Sequence, residues 1–241
     1  MTNVLMVVTN SSLGWYWPEF SHPYLEFAAA GWTIDIASPA GGPTTVDAGS
    51  LNQEEIDKDP AEKALQGRLA ELTANTLELS KADSKKYKLI FFVGGFGAMW
   101  DYPVSTAVNT IVREMYENGA TISGVCHGPI FLANVTLSDG SYLINGKEFT
   151  AFSDAEEKTV EETYKSGKLG FFPLHEGKYR TCHEVLKARG GISKESPEGV
   201  FKPWVAYSDP RLVTGQNPSS AKPLGAKLVE LLGEIRRKWL F

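Results

Sequence analysis

Short apolar runs alternate with amphipathic segments along most of the chain, as strands and helices do when they take turns. Continuous apolar runs such as 4–8 are typical of parallel strands that are covered on both faces. The alternation therefore predicts an α/β fold, a doubly wound, mostly parallel sheet with helices on both faces. The predicted strands are 4–8, 32–38, 87–93, 119–126 and 212–215, and the predicted helices are 19–30, 106–118, 155–165, 180–189 and 219–238.

Residues 44–86 interrupt this alternation with many charges and few large apolar side chains. Helical segments are predicted around 53–58 and 61–72, and the stretch is expected to lie on the surface as an insertion or cap. No repeat, low-complexity tract or linker divides the chain. Residues 1–241 are therefore expected to form a single domain that carries this polar insertion.

Glycines mark the expected end of a helix and an expected turn. Gly31 follows the first predicted helix and is expected at its C′ position, where a left-handed backbone is common. Asn145-Gly146 lies within 142–150 and is expected to form the type I′ turn of a β-hairpin.

Composition narrows the class of protein. The 241 residues, 42% hydrophobic and 22% charged, suit a globular protein with a full core. A net charge of −5 gives no electrostatic reason to expect nucleic acid or an anionic membrane as a partner. Cys126 and Cys182 are the two cysteines, so a reducing compartment is expected rather than a disulfide framework. With no basic n-region and no run near ~20 apolar residues, a cytoplasmic location is expected.

The segment 119–129 carries the strongest chemical signal. It predicts a strand that runs into a tight turn, with Cys126 at the corner and a helix beginning after it. A nucleophile on such an elbow is held out of the sheet. The start of a helix also favours the thiolate form of a cysteine. A buried, inert cysteine at the end of a strand is the alternative that this segment leaves open.

Two further features fall at the carboxyl ends of predicted strands, where chemistry collects in such sheets. Gly94-Gly95 ends one strand, and Glu19 follows the first. A thiolate at Cys126, backbone N–H groups of Gly95 and His127, and a carboxylate would suffice for carbonyl chemistry. A plain turn at the glycines and a first-turn helix carboxylate at Glu19 are the alternatives.

Four motifs stand out in the chain: Val-Cys-His-Gly-Pro at 125–129, Phe-Val-Gly-Gly-Phe-Gly-Ala-Met-Trp-Asp at 92–101, Glu-x-x-His-Pro at 19–23 and Leu-Val-Thr-Gly-Gln-Asn-Pro-Ser-Ser at 212–220. Together they resemble the ThiJ/PfpI superfamily. Within it, the chain is similar to the branch of heat-shock chaperones and glutathione-independent (class III) glyoxalases, from Val4 to Leu232. The resemblance implies a flavodoxin-like, class I glutamine amidotransferase-like domain that is usually dimeric and uses no metal or organic cofactor. It also implies conversion of methylglyoxal to D-lactate, a D-lactate dehydratase (lyase) reaction, and in some members protection of misfolded proteins.

The resemblance also assigns roles. Cys126 matches the nucleophile, His127 the histidine that follows it, and Glu19 the acid beside the thiol, which must be protonated if it is to favour a thiolate. Gly95 and His127 match the backbone donors that hold an oxyanion.

The acid that orients His127 falls in 152–157. Glu157 fits best, and Glu156 and Asp154 remain possible. The implied partner is a small 2-oxoaldehyde, the implied assembly a homodimer, and the implied location the cytoplasm and possibly the nucleus.

Two features depart from the family pattern. Cys182-His183 has no family role and is too little for a zinc site, so packing is expected. The aromatic loop 15–18 is expected to reshape the mouth of the site.

Three other functions remain open: a stress-response holdase with a redox-sensing cysteine, another hydrolase of the superfamily, and a catalytically silent descendant. The amidotransferase version of the hydrolase needs a His-x-Glu pair, whereas His175-Glu176 and His183-Glu184 are adjacent residues.

Overall fold

A computed structural model describes residues 2–165 and 181–238, and it confirms the predicted fold class: a mostly parallel sheet lies between two layers of helices. The strands are β1 Asn3–Val7, β2 Thr33–Ser38, β3 Leu77–Glu78, β4 Leu89–Phe92, β5 Thr121–Val125, β6 Glu148–Phe149, β7 Ile192–Ser193, β8 Val205–Asp209 and β9 Leu212–Gly215. The helices are α1 Trp17–Ala29, α2 Gln53–Ile56, α3 Pro60–Gln66, α4 Leu69–Ala74, α5 Ala98–Asp101, α6 Thr106–Glu117, α7 Asp154–Lys165, α8 Cys182–Ala188 and α9 Ala221–Lys238.

The main sheet has the strand order β3-β2-β1-β4-β5-β9-β8. Every neighbouring pair is parallel except β8, which runs antiparallel to β9. The chain moves outward from β1 to β3 and then returns to place β4 on the other side of β1. The carboxyl ends of β1 and β4 therefore form the crevice where ligands bind in open α/β sheets.

Each face of the sheet has its own apolar layer. Helix α6 buries Val108, Ile111 and Met115 on one face, at the spacing predicted for an amphipathic helix. Phe27 of α1 and Leu228 of α9 pack on the other face. Each fully buried side chain of this size contributes about 1.5–3 kcal/mol relative to exposure, so these two layers fix the sheet that carries the site.

Local signals place the helix ends well. The Ser105 hydroxyl caps α6 by accepting a hydrogen bond from the N–H of Val108, at 3.2 Å. Gly31 has φ +72°, the left-handed conformation predicted for the residue after α1.

The predicted β-hairpin at 142–150 is wrong. A turn is present at 144–147, closed by the N–H of Lys147 donating to the carbonyl of Ile144 at 3.0 Å. Of its two central residues, Asn145 and Gly146, only Gly146 has positive φ, so the turn is not type I′. Glu148–Phe149 pairs in parallel with Ile192–Ser193 instead of folding back on 142–144. Glu148–Phe149 thus pairs with a strand more than forty residues away in the sequence and not with the segment next to it. The Asn145-Gly146 turn motif gives no information about such a distant partner.

Residues 44–86 are less peripheral than predicted. The helical segments are shorter, at Gln53–Ile56, Pro60–Gln66 and Leu69–Ala74, and Leu77–Glu78 joins the edge of the main sheet. Ile56 and Leu65 are 2% and 4% exposed and belong to the apolar layer around α1. The few large apolar residues of this stretch therefore anchor it to the core.

Three further elements differ from the prediction. The short strands β7 and β8 were not predicted, because neither shows a long apolar run. The helix expected after Cys126 is a 3₁₀ helix, Gly128–Asn134, with Pro129 at its start.

Candidate active site

Cys126 lies at the corner between β5 and the 3₁₀ helix, with φ +61°. Positive φ is uncommon for a residue with a side chain and persists only where the surroundings hold it. Backbone bonds do so here: the N–H of Cys126 donates to the carbonyl of Gly215 at 3.0 Å, and its carbonyl accepts from the N–H of Phe152 at 2.8 Å. The sulfur is thus held at the carboxyl end of β5, next to the crevice between β1 and β4.

Two glycines allow the chain segments around this corner to approach closely. A Cβ atom on Gly94 would collide with a carboxyl oxygen of Glu19 and with the carbonyl of Val125. One on Gly128 would collide with the carbonyl of Phe92. The turn at Gly94 therefore also forms the surface against which the Glu19 side chain packs.

His127 bridges the sulfur and a carboxylate. Its Nδ1 lies 3.3 Å from Sγ of Cys126, and its Nε2 lies 2.8 Å from Oε1 of Glu157. Because the Glu157 carboxylate can only accept, Nε2 carries the proton in the neutral ring and Nδ1 is left as an acceptor for the thiol. The rings of Phe96 and Phe152, with centroids 4.8 and 4.7 Å from that of His127, hold the imidazole between them.

Glu19 lies in the first turn of α1 and is fully buried. Burial raises its pKa to about 8, even though the Cys126 thiol and the Gly94 N–H act to lower it, and the charge of Asp47 raises it further. Neither carboxyl oxygen reaches full hydrogen-bond geometry with any group that the structure describes. Glu19 is therefore a protonated acid at neutral pH, with both oxygens available beside the sulfur.

The thiol of Cys126 is not activated by its surroundings alone. Burial raises its pKa well above the ordinary value, and ionisation of the nearby Glu19 would raise it further. The expected thiolate-favouring effect of the helix start is outweighed, because the sulfur is almost wholly removed from water at 4% exposure. An ionised sulfur at this position requires a base to take its proton.

Gly95 and His127 lie beside Cys126 in the wall of one cavity. Within residues 2–165 and 181–238, their backbone N–H groups have no protein acceptor. Gly95 has φ +96°, and a Cβ there would lie 2.9 Å from the backbone nitrogen of Tyr16. The N–H of Cys126 itself donates to the carbonyl of Gly215 and is not available to a ligand.

The structure separates the three acids at the start of α7. Glu157 contacts His127, whereas Asp154 accepts from the Thr181 hydroxyl at 2.5 Å and faces Lys187. Glu156 is fully buried and contacts neither Cys126 nor His127. It accepts instead from Ser153 N, Phe201 N, Gln216 Nε2 and Asn217 Nδ2 at 2.7–3.0 Å.

Gln216 and Asn217 were not predicted as site residues. By holding Glu156 they fix the first turn of α7, and so the position of Glu157 one residue later. The signal in the sequence was two amides directly after an apolar strand, a position that faces the same sheet edge as Cys126.

A cavity of about 490 Å³ opens beside the sulfur. The aromatic loop 15–18 contributes Tyr16 to its wall, while Trp15 and Trp17 are buried at 1% and 0% exposure. A larger depression of about 610 Å³ at the edge formed by β2 and β3 has no cysteine or histidine among its described lining residues. Besides Cys126 and His127, the first cavity is lined by Glu19, Asp47, Gly95, Phe96, Phe152 and Phe201.

The second cysteine-histidine pair, Cys182-His183, is buried and packs in the protein interior, as expected. Cys182 is fully buried, with its sulfur 3.5 Å from Sδ of Met99. His183 lies 3.1 Å from the Ala151 carbonyl and 3.2 Å from Glu195, so it does not pair with Glu184. The other adjacent pair, 175–176, lies outside the described residues.

No three histidine, cysteine or carboxylate side chains in the described ranges lie close enough together to hold a metal ion. None of the helices there has the length and apolar character required to cross a bilayer.

Fold and site together define an α/β protein with a buried cysteine elbow, a neighbouring histidine and two acids. The model of the DJ-1/PfpI family matches residues 3–231, and the chain belongs to this family, as the sequence motifs predicted.

Relatives share most of the chain's length. It is 29% identical over 227 residues to the glutathione-independent glyoxalase hsp3102 of Schizosaccharomyces pombe, covering 91% of this chain and 89% of that protein. It is 31% identical over 212 residues to glyoxalase 3 of Candida albicans, covering 84% and 83%. The crystal structure of glyoxalase III from Candida albicans matches with a TM-score of 0.74 at 27% identity, covering 95% and 97%.

Proposed function

We propose that this protein is a glutathione-independent glyoxalase that converts methylglyoxal to D-lactate through a covalent adduct on Cys126. The observation that carries the proposal is the arrangement around one sulfur: His127 Nδ1 at 3.3 Å, the buried acid Glu19 against it, and two unused backbone N–H groups beside a cavity. The names of the relatives, which are glyoxalases, support the same reaction.

The first step is addition to the aldehyde. The Cys126 thiol gives its proton to Nδ1 of His127, while Glu157 stabilises the imidazolium through Nε2. The sulfur forms a bond to the aldehyde carbon, and the carbonyl π electrons move to its oxygen. The N–H groups of Gly95 and His127 hold this oxyanion, each such donor contributing about 3 kcal/mol in the transition state. The oxyanion then takes the proton of Glu19, which gives a hemithioacetal.

The second step moves a proton between the two carbons. Glu19, now a carboxylate beside the sulfur, takes the proton of the former aldehyde carbon, while the imidazolium of His127 gives its proton to the ketone oxygen, and an enediol forms. Glu19 then gives its proton to the former ketone carbon, and the hydroxyl on the former aldehyde carbon gives its proton to His127, so the product is a lactoyl thioester on Cys126. Both oxygens of Glu19 are without full hydrogen bonds, which leaves them free for this transfer. His127 is the other group that could move this proton.

The third step is hydrolysis. A water molecule adds to the thioester carbonyl, the carbon–sulfur bond breaks, and the thiol and lactate are released. The sum is methylglyoxal plus water giving lactate and a proton, with no net oxidation or reduction. The reaction therefore uses no electron carrier.

Incubation of the purified protein with methylglyoxal in the absence of glutathione tests the proposal. We expect D-lactate by chiral chromatography from the wild type, and loss of turnover in Cys126→Ser and Glu19→Gln. Cys182→Ala is the matched control, because it removes the other buried thiol without touching the cavity. Full turnover by Cys126→Ser would contradict the covalent route.

A cytoplasmic homodimer remains part of the proposal. A stress-response holdase is the alternative, and the cavity beside Cys126 favours the enzyme over it, since a holdase needs exposed apolar surface rather than a cavity around a thiol. Size-exclusion chromatography with light scattering tests the dimer.

A further inference from the structure

The cavity is much larger than the substrate proposed above. At roughly 30 Å³ per heavy atom, the volume of a water molecule in the liquid, methylglyoxal fills at most about 150 Å³. The cavity measures about 490 Å³. Space for a considerably larger molecule therefore remains beside the sulfur.

Aromatic rings line this remaining space in a series that starts at the reacting atoms. The ring of Phe96 lies 4.8 Å from that of His127, and the ring of Phe152 lies 4.7 Å from His127 on a tilted approach. Phe201 continues the series, with its ring centroid 6.1 Å from that of Phe152. Ring separations of about 4.5–7 Å are those at which aromatic groups attract one another.

The backbone at Phe201 is strained in a way that points to function. With φ +59° it is, besides Cys126, the only non-glycine residue in the described ranges with positive φ. A bulky residue rarely adopts this conformation, and such outliers cluster at binding sites. The buried carboxyl group of Glu156 holds it by accepting from its N–H at 2.9 Å. The ring is kept at the cavity wall although it remains 40% exposed.

The described lining of the cavity offers no lysine or arginine to pair with an anionic substrate. It contains Glu19, which is protonated at neutral pH, and the carboxyl group of Asp47. The negative charge of Asp47 raises the pKa values of both Glu19 and Tyr16, so it acts on two groups of the cavity wall. Tyr16, with a pKa of about 12, stays a neutral phenol. A neutral, apolar group fits this environment best.

We propose that the preferred substrates are 2-oxoaldehydes whose ketone carbon carries a flat aromatic group, and that Phe201 is the residue that selects for it. This proposal rests on the glyoxalase reaction proposed above. The aldehyde end occupies the position at Cys126, as methylglyoxal would, and the aryl group lies against Phe152 and Phe201. For phenylglyoxal the same steps add water and give mandelate.

Turnover of phenylglyoxal and methylglyoxal tests the proposal, with mandelate and lactate measured as products. We expect a kcat/KM at least about tenfold higher for phenylglyoxal, since a single methylene group in an apolar pocket already gives a factor of this order. Phe201→Ala should lower kcat/KM for phenylglyoxal about tenfold more than it lowers kcat/KM for methylglyoxal. Cys126→Ser serves as the blank for direct reaction of phenylglyoxal with surface arginines.

Val200→Ala is the matched control, because Val200 is the neighbouring residue, is 42% exposed and does not line the cavity. Phe201→Leu keeps an apolar side chain without the flat ring, so its loss for phenylglyoxal should be intermediate. Circular dichroism confirms that each variant is folded.

Binding of unreactive ketones separates this proposal from the glyoxalase reaction. Acetophenone should bind to the wild type at least about tenfold more tightly than acetone does, and Phe201→Ala should remove the difference. If methylglyoxal is converted at least as efficiently as phenylglyoxal and Phe201→Ala lowers both equally, the aryl preference is wrong while the glyoxalase stands. If neither aldehyde is converted, the proposed glyoxalase reaction is wrong. The comparison of acetophenone with acetone binding then still tests whether Phe201 forms a binding site for an aromatic group.

Discussion

Nε2 of His127 and Oε1 of Glu157 lie 2.8 Å apart, and both side chains are almost completely buried. This contact fixes the ring so that the opposite nitrogen faces the sulfur of Cys126 at 3.3 Å. It joins the end of β5 to the first turn of α7, two segments thirty residues apart in the sequence.

Glu157→Gln should lower kcat for methylglyoxal by about 10²-fold or more, because a neutral amide cannot stabilise the imidazolium that forms when His127 takes the thiol proton. Asp154→Asn is the matched control in the same turn of α7, since its carboxyl group contacts Thr181 and Lys187 instead. Equal losses in the two variants would show that Glu157 acts only through the stability of the helix.

The activity of the wild type should fall as the pH rises through about 8. Glu19 has a pKa of about 8 and must be protonated to donate to the oxyanion, and its ionised form repels the developing charge on sulfur. A profile of kcat/KM between pH 6 and pH 10 measures this limb. The rate of Cys126 alkylation over the same range separates the effect on the thiol from the later steps. A flat kcat/KM profile across pH 8 would remove Glu19 from the proposed mechanism.

Glu19→Gln should stabilise the fold while it removes turnover. The folded state raises the pKa from 4.5 to about 8, so it keeps a proton that the unfolded chain has lost. The free energy of unfolding therefore falls as the pH rises from about 4.5 to about 8, by about 1.4 kcal/mol per unit, which amounts to about 3 kcal/mol at pH 7.

Urea denaturation of the wild type and Glu19→Gln at several pH values checks this difference. The variant should lack this contribution and be more stable at pH 7, by up to about 3 kcal/mol. Glu54→Gln is the control, because Glu54 is exposed. A wild type and variant with parallel pH dependence would mean that Glu19 is ionised in the folded protein.

Gly94→Ala should abolish turnover and destabilise the fold by about 1–3 kcal/mol, because its Cβ would collide with Glu19 and with the Val125 carbonyl. Gly233→Ala is the matched control. It lies in α9 with open space around its Cα, so alanine there should stabilise the protein by about 0.5–1 kcal/mol and leave turnover unchanged. Thermal unfolding and the lactate assay together distinguish the two outcomes. Retained activity in Gly94→Ala would show that Glu19 can shift without loss.

Much of the fold could be predicted because many of its elements are encoded by short, contiguous sequence patterns. Strands such as β1 and β4 are continuous apolar runs, and helix α6 shows its buried face in its own periodicity. The elbow at Cys126 could be predicted because strand, small residues and cysteine are contiguous. The wrong hairpin at 142–150 and the missed strand β7 share one cause, because Glu148–Phe149 and Ile192–Ser193 pair with each other across more than forty residues. Strand β8 was missed although its partner β9 is its neighbour in the chain, because it shows no long apolar run.

The sequence by itself determined the α/β class and singled out Cys126, His127 and Glu19 as candidates, because the strands, the elbow and the family motifs are each contiguous in the chain. Only the tertiary structure decided that Glu157 rather than Glu156 or Asp154 faces His127, since three acids within one helical turn point in different directions. It also decided the protonation of Glu19 and the resting state of the thiol. Both depend on how completely the folded chain removes these groups from water, which no local pattern records.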